Sequence, residues 1–222
     1  MKQMALILPY RNRAEHLQQF LSYFPEKNPP TPQYSYKIIV VEQADEKLFN
    51  RGKLLNIGFL LTQAEADYFC FHDVDMLPLD VDYSCPLCPT HLAADVSQFR
   101  ERKEGHEGLP YANYFGGVAL FPKEDFMRCN GYSNGYWGYG AEDDDLLIRM
   151  FRCGLKWERR NGVFLSLAHP FHGGSEAHKT NLLRYKAIAM EEEQDPSGIR
   201  DADYILVSDE LKNGVRYVKV LL

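Results

Sequence analysis

From Met4 to Asp75 the chain alternates short apolar runs with segments of helical spacing, and this alternation most limits how it can fold. Met4–Leu8 is apolar and is closed off by Pro9, which predicts a buried strand ending at Tyr10-Arg11-Asn12-Arg13. Arg13–Tyr23 carries Ala14, Leu17, Phe20 and Leu21 at helical spacing, and Asn28–Pro32 reads as a loop. Tyr36–Glu42 (YKIIVVE) is a second buried strand, rich in β-branched residues. Phe49–Ala66 predicts a helix with Leu54, Leu55, Gly58, Phe59 and Leu61 facing inward, and Asp67–His72 a third strand that runs into Asp73 and Asp75. Strand, helix, strand, helix, strand predicts an α/β fold with a mostly parallel central sheet flanked by helices. In such sheets ligands collect at the carboxyl ends of the strands, where Arg11–Arg13, Glu42 and Asp73–Asp75 all fall.

Further along, Leu79–Pro110 reads as irregular, and Tyr114–Phe121 as a short strand interrupted by Gly116-Gly117. Asp143–Cys153 has a helical pattern, Phe164–Ala168 and Tyr217–Leu222 read as strands, and the charged segment Glu191–Ala202 as a mobile surface loop. A chain of 222 residues with 45% hydrophobic content is expected to form one domain over residues 1–222. A net charge of −6 argues against a nucleic-acid surface. No apolar run approaches the roughly 18 residues that span a bilayer, and MKQMALILPYRNR is too short in its apolar part for a signal peptide. The expectation is a soluble, cytoplasmic chain, at most membrane-peripheral. Five cysteines, an odd number with a lone Cys85-Pro-Leu-Cys88, predict unpaired thiols in a reducing compartment.

Three clusters suggest chemistry. In the extended segment Asp73-Val74-Asp75 both carboxylates point the same way, so one can bind a hard cation while the other accepts from a ligand hydroxyl. His169-Pro170-Phe171-His172 places two imidazoles three apart after an apolar strand, and imidazole suits Mn²⁺ better than Mg²⁺ or Ca²⁺. Glu142-Asp143-Asp144-Asp145 would favour a helix N-terminus, but four adjacent acids repel one another, which points to a general base. Trp137 and Tyr139 before them offer flat faces for a sugar ring, and Gly138 and Gly140 allow close backbone approach. Arg11, Arg13, Arg51 and Lys53, at a strand end and a helix start, suit phosphate groups.

These motifs together resemble the β-1,4-galactosyltransferase family. The matching blocks are PYRNR at Pro9–Arg13, FNRGKLLNIGF at Phe49–Phe59, HDVDMLP at His72–Pro78, YFGGVALF at Tyr114–Phe121 and GYSNGYWGYGAEDDD at Gly131–Asp145. The ending SDELKNGVRYVKVL resembles the family's final strand. The resemblance implies a GT-A fold, a UDP-galactose donor, Mn²⁺, a carbohydrate acceptor and inversion at the anomeric carbon. It also implies that Asp75, His169 and His172 hold the metal and that Asp143 is the base. Pro9, Arg11, Arg13, Phe49, Arg51, Lys53, Asp73, Tyr114, Gly117 and Glu142 would face the donor, with Asp73 on the ribose. Tyr139, Asp144 and Trp137 would face the acceptor. Tyr114 matches the position that senses the donor sugar's C2 substituent, where a phenol leaves little room for an acetamido group.

The chain departs from the family pattern in three ways. Many animal members have methionine where His169 stands, and the two histidines resemble the proteoglycan-linker branch, whose acceptor is xylose. The second aromatic of the usual WGWG is Tyr139. The family's luminal anchor and paired disulfides are missing, which implies a bacterial or otherwise cytosolic member; a Golgi-lumen location would require an anchor beyond this chain. The acceptor stays open among N-acetylglucosamine, glucose and xylose. Transfer from UDP-N-acetylgalactosamine or UDP-glucose, hydrolysis of a nucleotide sugar, and a non-catalytic sugar-binding module are the competing readings.

Overall fold

The computed structural model of the chain describes residues 1–100, 108–169 and 173–222. The N-terminal alternation forms as expected: β1 (Lys2–Tyr10), α1 (Ala14–Lys27), β2 (Tyr34–Gln43), α2 (Arg51–Thr62) and β3 (Tyr68–His72). Next come β4 (Met76–Asp80), β5 (Thr90–His91), β6 (Asp95–Val96), β7 (Val118–Pro122), α3 (Lys123–Arg128) and α4 (Glu142–Arg152). The chain then continues through β8 (Glu158–Arg159), β9 (Val163–Ser166), α5 (Glu176–Ala189), β10 (Ile205–Lys212) and β11 (Val215–Leu221).

Among the described residues an eight-stranded sheet runs β10-β11-β2-β1-β3-β7-β5-β8, and β4, β9 and β6 form a second, three-stranded sheet. β11, β2, β1 and β3 are mutually parallel, whereas β10, β7 and β5 pair antiparallel to a neighbour. The sheet is therefore mixed around a parallel centre.

Side-chain alternation along the central strands splits the core in two. Ala5, Ile7, Ile39, Val41, Phe69 and Phe71 face one cluster with Leu54, Leu55 and Phe59 of α2. Met4, Leu6, Leu8, Ile38, Val40 and Cys70 face the other with Phe20 and Phe24 of α1. α2 lies directly on β1: a Cβ on Gly58 would come within 2.3 Å of Ile7 Cγ2. Glycine within a helix costs about 1 kcal/mol against alanine, and here it sets the helix-to-sheet distance.

Several boundaries differ from expectation. α1 continues through Pro25 to Lys27 because Phe24 stacks on Phe20 at 5.2 Å and meets Tyr83 edge-on. The strand expected from Tyr114 starts only at Val118, since Gly117 turns the chain at φ +80°. Short strands occupy part of Leu79–Pro110, of which residues 101–107 lie outside the described set.

Glu191–Ala202 is not a loose surface loop in its second half. Asp195 accepts from Ser133, from Arg184 at 2.8 Å and from the Ser197 backbone at 2.9 Å, and the backbone carbonyls of Asp195 and Ser197 hold Arg149. Burial pushes the Asp195 carboxyl up, but the hydrogen bonds from Ser133, Ser197 and Arg184 outweigh it and hold it at about 2. A depressed carboxylate stabilises the fold above its unfolded pKa, and that stabilisation is lost as pH falls toward its folded pKa. Asp195→Asn should therefore remove about 2 kcal/mol at neutral pH and flatten the loss of stability between about pH 4 and about pH 2. Urea midpoints taken across that range for both proteins check this; parallel profiles would contradict it.

Candidate active site

The parallel order of β1, β2 and β3 brings their carboxyl ends to one edge of the sheet. Asp73 leaves β3 there, and its backbone N–H donates to Gly117 O at 3.0 Å. His72 behind it is fully buried: Nδ1 donates to Asp73 O at 2.8 Å and Nε2 accepts from the Tyr83 hydroxyl at 3.0 Å. Burial holds this imidazole neutral, with its pKa lowered to about 3. His72 thus fixes the backbone of the acidic pair.

The other acids arrive on α4. Gly138 (φ +84°), Gly140 (φ +94°) and Ala141 (φ +74°) turn the chain through left-handed conformations, so Glu142 to Asp145 form the first helical turn. α5 holds this turn from behind. Asn181 Nδ2 donates to the carbonyls of Trp137 and Tyr139, both at 3.1 Å. A Cβ on Gly138 would lie 2.8 Å from Ala177 Cβ, and one on Gly140 would lie 2.6 Å from His178 Nδ1. The close approach that these glycines permit is to α5. Gly140→Ala should cost about 1–3 kcal/mol, from both the left-handed backbone and the clash, and a thermal melt measures it; an unchanged melting temperature would refute the packing argument.

The four acids then part company. Asp145 is 1% exposed and binds Arg149 Nε at 2.6 Å, a structural ion pair. Asp144 accepts from the Tyr111 hydroxyl at 2.8 Å. Asp143 and Glu142 turn to Arg51. Arg51 Nε donates to Asp73 Oδ1 at 2.6 Å, Nη1 donates to Asp143 Oδ1 at 2.8 Å, and Glu142 Oε1 lies 3.7 Å from Nη1. One guanidinium, 12% exposed, therefore ties the acid at the strand end to the acids on the helix. Burial pushes the Asp143 carboxyl well up; Arg51 opposes this, and Glu142, Asp73 and Asp144 add to it. Arg51 is thus the counterweight that favours the ionised form of Asp143.

Tyr114 closes the side of the cluster. Its phenol oxygen and Asp143 Oδ2 lie 2.6 Å and 2.7 Å from the point where a Gly116 Cβ would stand, so the missing side chain is what leaves room for both. Gly117 is next to it, packed on Met76. Burial, with Asp143 and Asp73 nearby, raises the Tyr114 pKa well above the ordinary phenol value, so the hydroxyl stays protonated.

Asp75 faces another direction. Its Oδ2 is 3.3 Å from His169 Nε2 and 3.9 Å from Arg13 Nη1. A carboxylate and an imidazole meeting this way fit two ligands of one divalent ion. His172, the third ligand expected, lies outside the described residues, and among those described no three His, Cys, Asp or Glu side chains form a complete cage. Arg13 Nη1 is buried with no hydrogen-bond acceptor among the described residues, a donor that a phosphate oxygen would satisfy.

The remaining candidates divide. Pro9 is buried in β1 opposite Val41, one residue before the edge. Arg11 donates to Lys47 O and lies over the Phe49 ring at 5.4 Å, while Phe49 O accepts from Gly138 N at 2.7 Å and Lys47 Nζ lies over Trp137 at 5.8 Å. Arg11, Phe49 and Trp137 are thus linked through Lys47 and the Gly138 backbone. Tyr139 is 40% exposed beside His178. Lys53 does not join the cluster: its charged neighbours are Asp203, Lys47, Asp201 and Asp45, because it sits two positions round α2 from Arg51. Glu42 is also drawn off, paired with Lys219 at 3.2 Å. The sequence reading gave His72 no role although it opens the HDVDMLP block, and it missed His91 and Arg159, single residues without a motif that hold the backbone next to Tyr114.

Comparisons with known proteins bear on the family and the fold. The family model for the N-terminal region of glycosyl transferase group 7 matches residues 1–89, and that for the N-terminal domain of galactosyltransferase matches residues 97–172. Mouse β-1,4-galactosyltransferase 1 is 38% identical over 193 residues, 85% of this chain and 47% of the relative. Cricetulus griseus β-1,4-galactosyltransferase 2 is 42% identical over 173 residues, 74% of this chain and 45% of the relative. The chain spans about half the length of the curated relatives it matches. A crystal structure of a Drosophila β-1,4-galactosyltransferase 7 variant with manganese, UDP-Gal and xylobiose superimposes with a TM-score of 0.79 at 29% identity, covering 100% of this chain and 94% of that one. The sheet with its acidic edge is that of a GT-A glycosyltransferase, and the chain belongs to the β-1,4-galactosyltransferase family.

Proposed function

We propose that the chain transfers galactose from UDP-galactose to a sugar hydroxyl, inverting the anomeric carbon. The observation that carries this is the junction at Arg51, where Asp73 and Asp143 meet one guanidinium at 2.6 and 2.8 Å. Asp75, His169 and His172 would hold Mn²⁺, whose charge would offset that growing on the diphosphate leaving group. Arg13 and Arg11 receive the diphosphate and Phe49 the base side of UDP, with Pro9 and Gly117 supplying backbone contact. Asp73 accepts from the ribose. Glu142 holds a hydroxyl of the donor sugar, and Tyr114 crowds its C2. Trp137 and Tyr139 stack on the acceptor ring and Asp144 accepts one of its hydroxyls. Asp143 removes the proton from the attacking hydroxyl, which approaches C1 from the face opposite UDP. All five thiols are free, which fits a reducing, cytoplasmic setting; among the described residues no helix is long and apolar enough to cross a membrane.

The test is to incubate the protein with UDP-galactose and Mn²⁺ alongside aryl glycosides of N-acetylglucosamine, glucose and xylose. A disaccharide formed with one of them, together with UDP, is the expected result. Free galactose released at the same rate without acceptor would replace transfer by hydrolysis. Binding of UDP with no turnover on any acceptor would make the chain a binding module.

A further inference from the structure

Two side chains outside the acid cluster converge on the backbone that carries Tyr114. Arg159 Nη2 donates to Ala112 O at 3.0 Å and to Tyr114 O at 2.6 Å. His91 Nε2 donates to Gly116 O at 2.9 Å, and His91 Nδ1 accepts from Arg159 Nε at 2.9 Å. The bond from Arg159 decides which ring nitrogen carries the hydrogen, since a guanidinium cannot accept. His91 is fully buried, and its ring also stands edge-on to the Tyr114 ring at 5.5 Å. The pair is itself held firmly. His91 and Arg159 are opposed in the β5–β8 ladder, and the guanidinium lies over Trp157 at 5.3 Å, which packs on Phe115.

We propose that Arg159 and His91 are positioning residues that set donor-sugar preference by fixing the Tyr114 wall against the substituent at C2 of the donor. The inference rests on the reading of the site as one for UDP-galactose. A steric wall discriminates only while it cannot yield. The phenol oxygen of Tyr114 and Asp143 share the space left by Gly116, so a small shift of residues 112–116 changes the gap beside the donor sugar. Loss of the clamp frees the carbonyls of Ala112 and Tyr114 and leaves Gly116 O only the Val118 N–H at 3.1 Å. Lysine at position 159 keeps the charge but lacks the planar fork that reaches His91 and two carbonyls together.

The experiment measures kcat/KM for UDP-galactose and for UDP-N-acetylgalactosamine in the parent, Arg159→Lys, His91→Asn, His91→Gln and Tyr114→Leu proteins, with Mn²⁺ and a working acceptor. Arg159→Lys should lower the galactose preference about tenfold, the scale on which a pocket distinguishes small substituents. UDP affinity should stay unchanged in Arg159→Lys, because Arg159 holds the carbonyls of Ala112 and Tyr114 and not the Gly117 backbone that faces UDP. His91→Asn, which cannot reach Gly116, should lower the preference too, whereas His91→Gln, whose amide can still donate there, should restore most of it. The His91 pair decides the matter if Arg159→Lys fails to fold. Adding Arg159→Lys to Tyr114→Leu should not change the preference further. Equal losses for both donors, with the ratio unmoved, would reduce the clamp to a purely structural element and overturn the proposal. A parent protein that uses neither donor overturns the underlying reading as well.

Discussion

Asp143→Asn should slow transfer by about 10²–10⁴-fold while UDP binding in the presence of Mn²⁺ stays close to that of the parent. The amide matches the carboxylate in size, and its oxygen can still accept from Arg51 Nη1, which now stands 2.8 Å from Oδ1. Geometry is therefore kept and only proton acceptance is lost. Single-turnover rates against UDP calorimetry separate the two. Ordinary turnover in the variant would strip Asp143 of its role, and lost UDP binding would mean that the carboxylate organises the donor site instead.

Arg51→Met should cost about 3–5 kcal/mol, the usual consequence of removing one partner from a buried charge cluster. Asp73, Asp143 and Glu142 would then face one another with no cation between them. Since Arg51 is the group that opposes the upward push on Asp143, its removal raises that carboxyl further. The sign follows directly. The loss of stability should be greatest where the acids are ionised and shrink on acidification, and the acidic limb of the pH–rate profile should move to higher pH. Urea unfolding in mildly acidic and mildly alkaline buffer tests the first point. A pH-independent loss would mean that Arg51 contributes packing over Tyr132, 5.8 Å from its guanidinium, and little else. Arg51→Lys serves as the control that restores charge without the fork.

Much of the frame was legible because its elements have strong periodic signals. β1, β2, β3, α1, α2 and α4 all carry long apolar patterns, and their order alone predicts a sheet edge bearing Arg13, Asp73 and Asp75. α5 was not legible. Only Asn181 and Ile188 are buried in it, so it has almost no apolar stripe; Ser175 capping His178 N is its one local cue. β10 was hidden for a similar reason: an edge strand exposed along most of its length shows no alternation. At the site, the residue types were readable but their pairing was not. Asp145 has Arg149 four residues on in the same helix, a pairing open to a sequence reading, but nothing local turns Asp143 to Arg51, because that depends on which way the first helical turn faces. Lys53 shows the same limit from the other side, sharing a motif with Arg51 yet drawn toward Asp203 and Asp201 by the helical rotation between them.

The contact between Gly138 and Ala177 gives engineers a handle. Bulk added at Ala177, on the far side of the turn, would press on the chain beneath Tyr139 and tilt its ring without changing the ring itself. On the proposed function, a graded series of side chains at that single remote position would tune acceptor range, while the acids and the Asp75–His169 pair are left as they are.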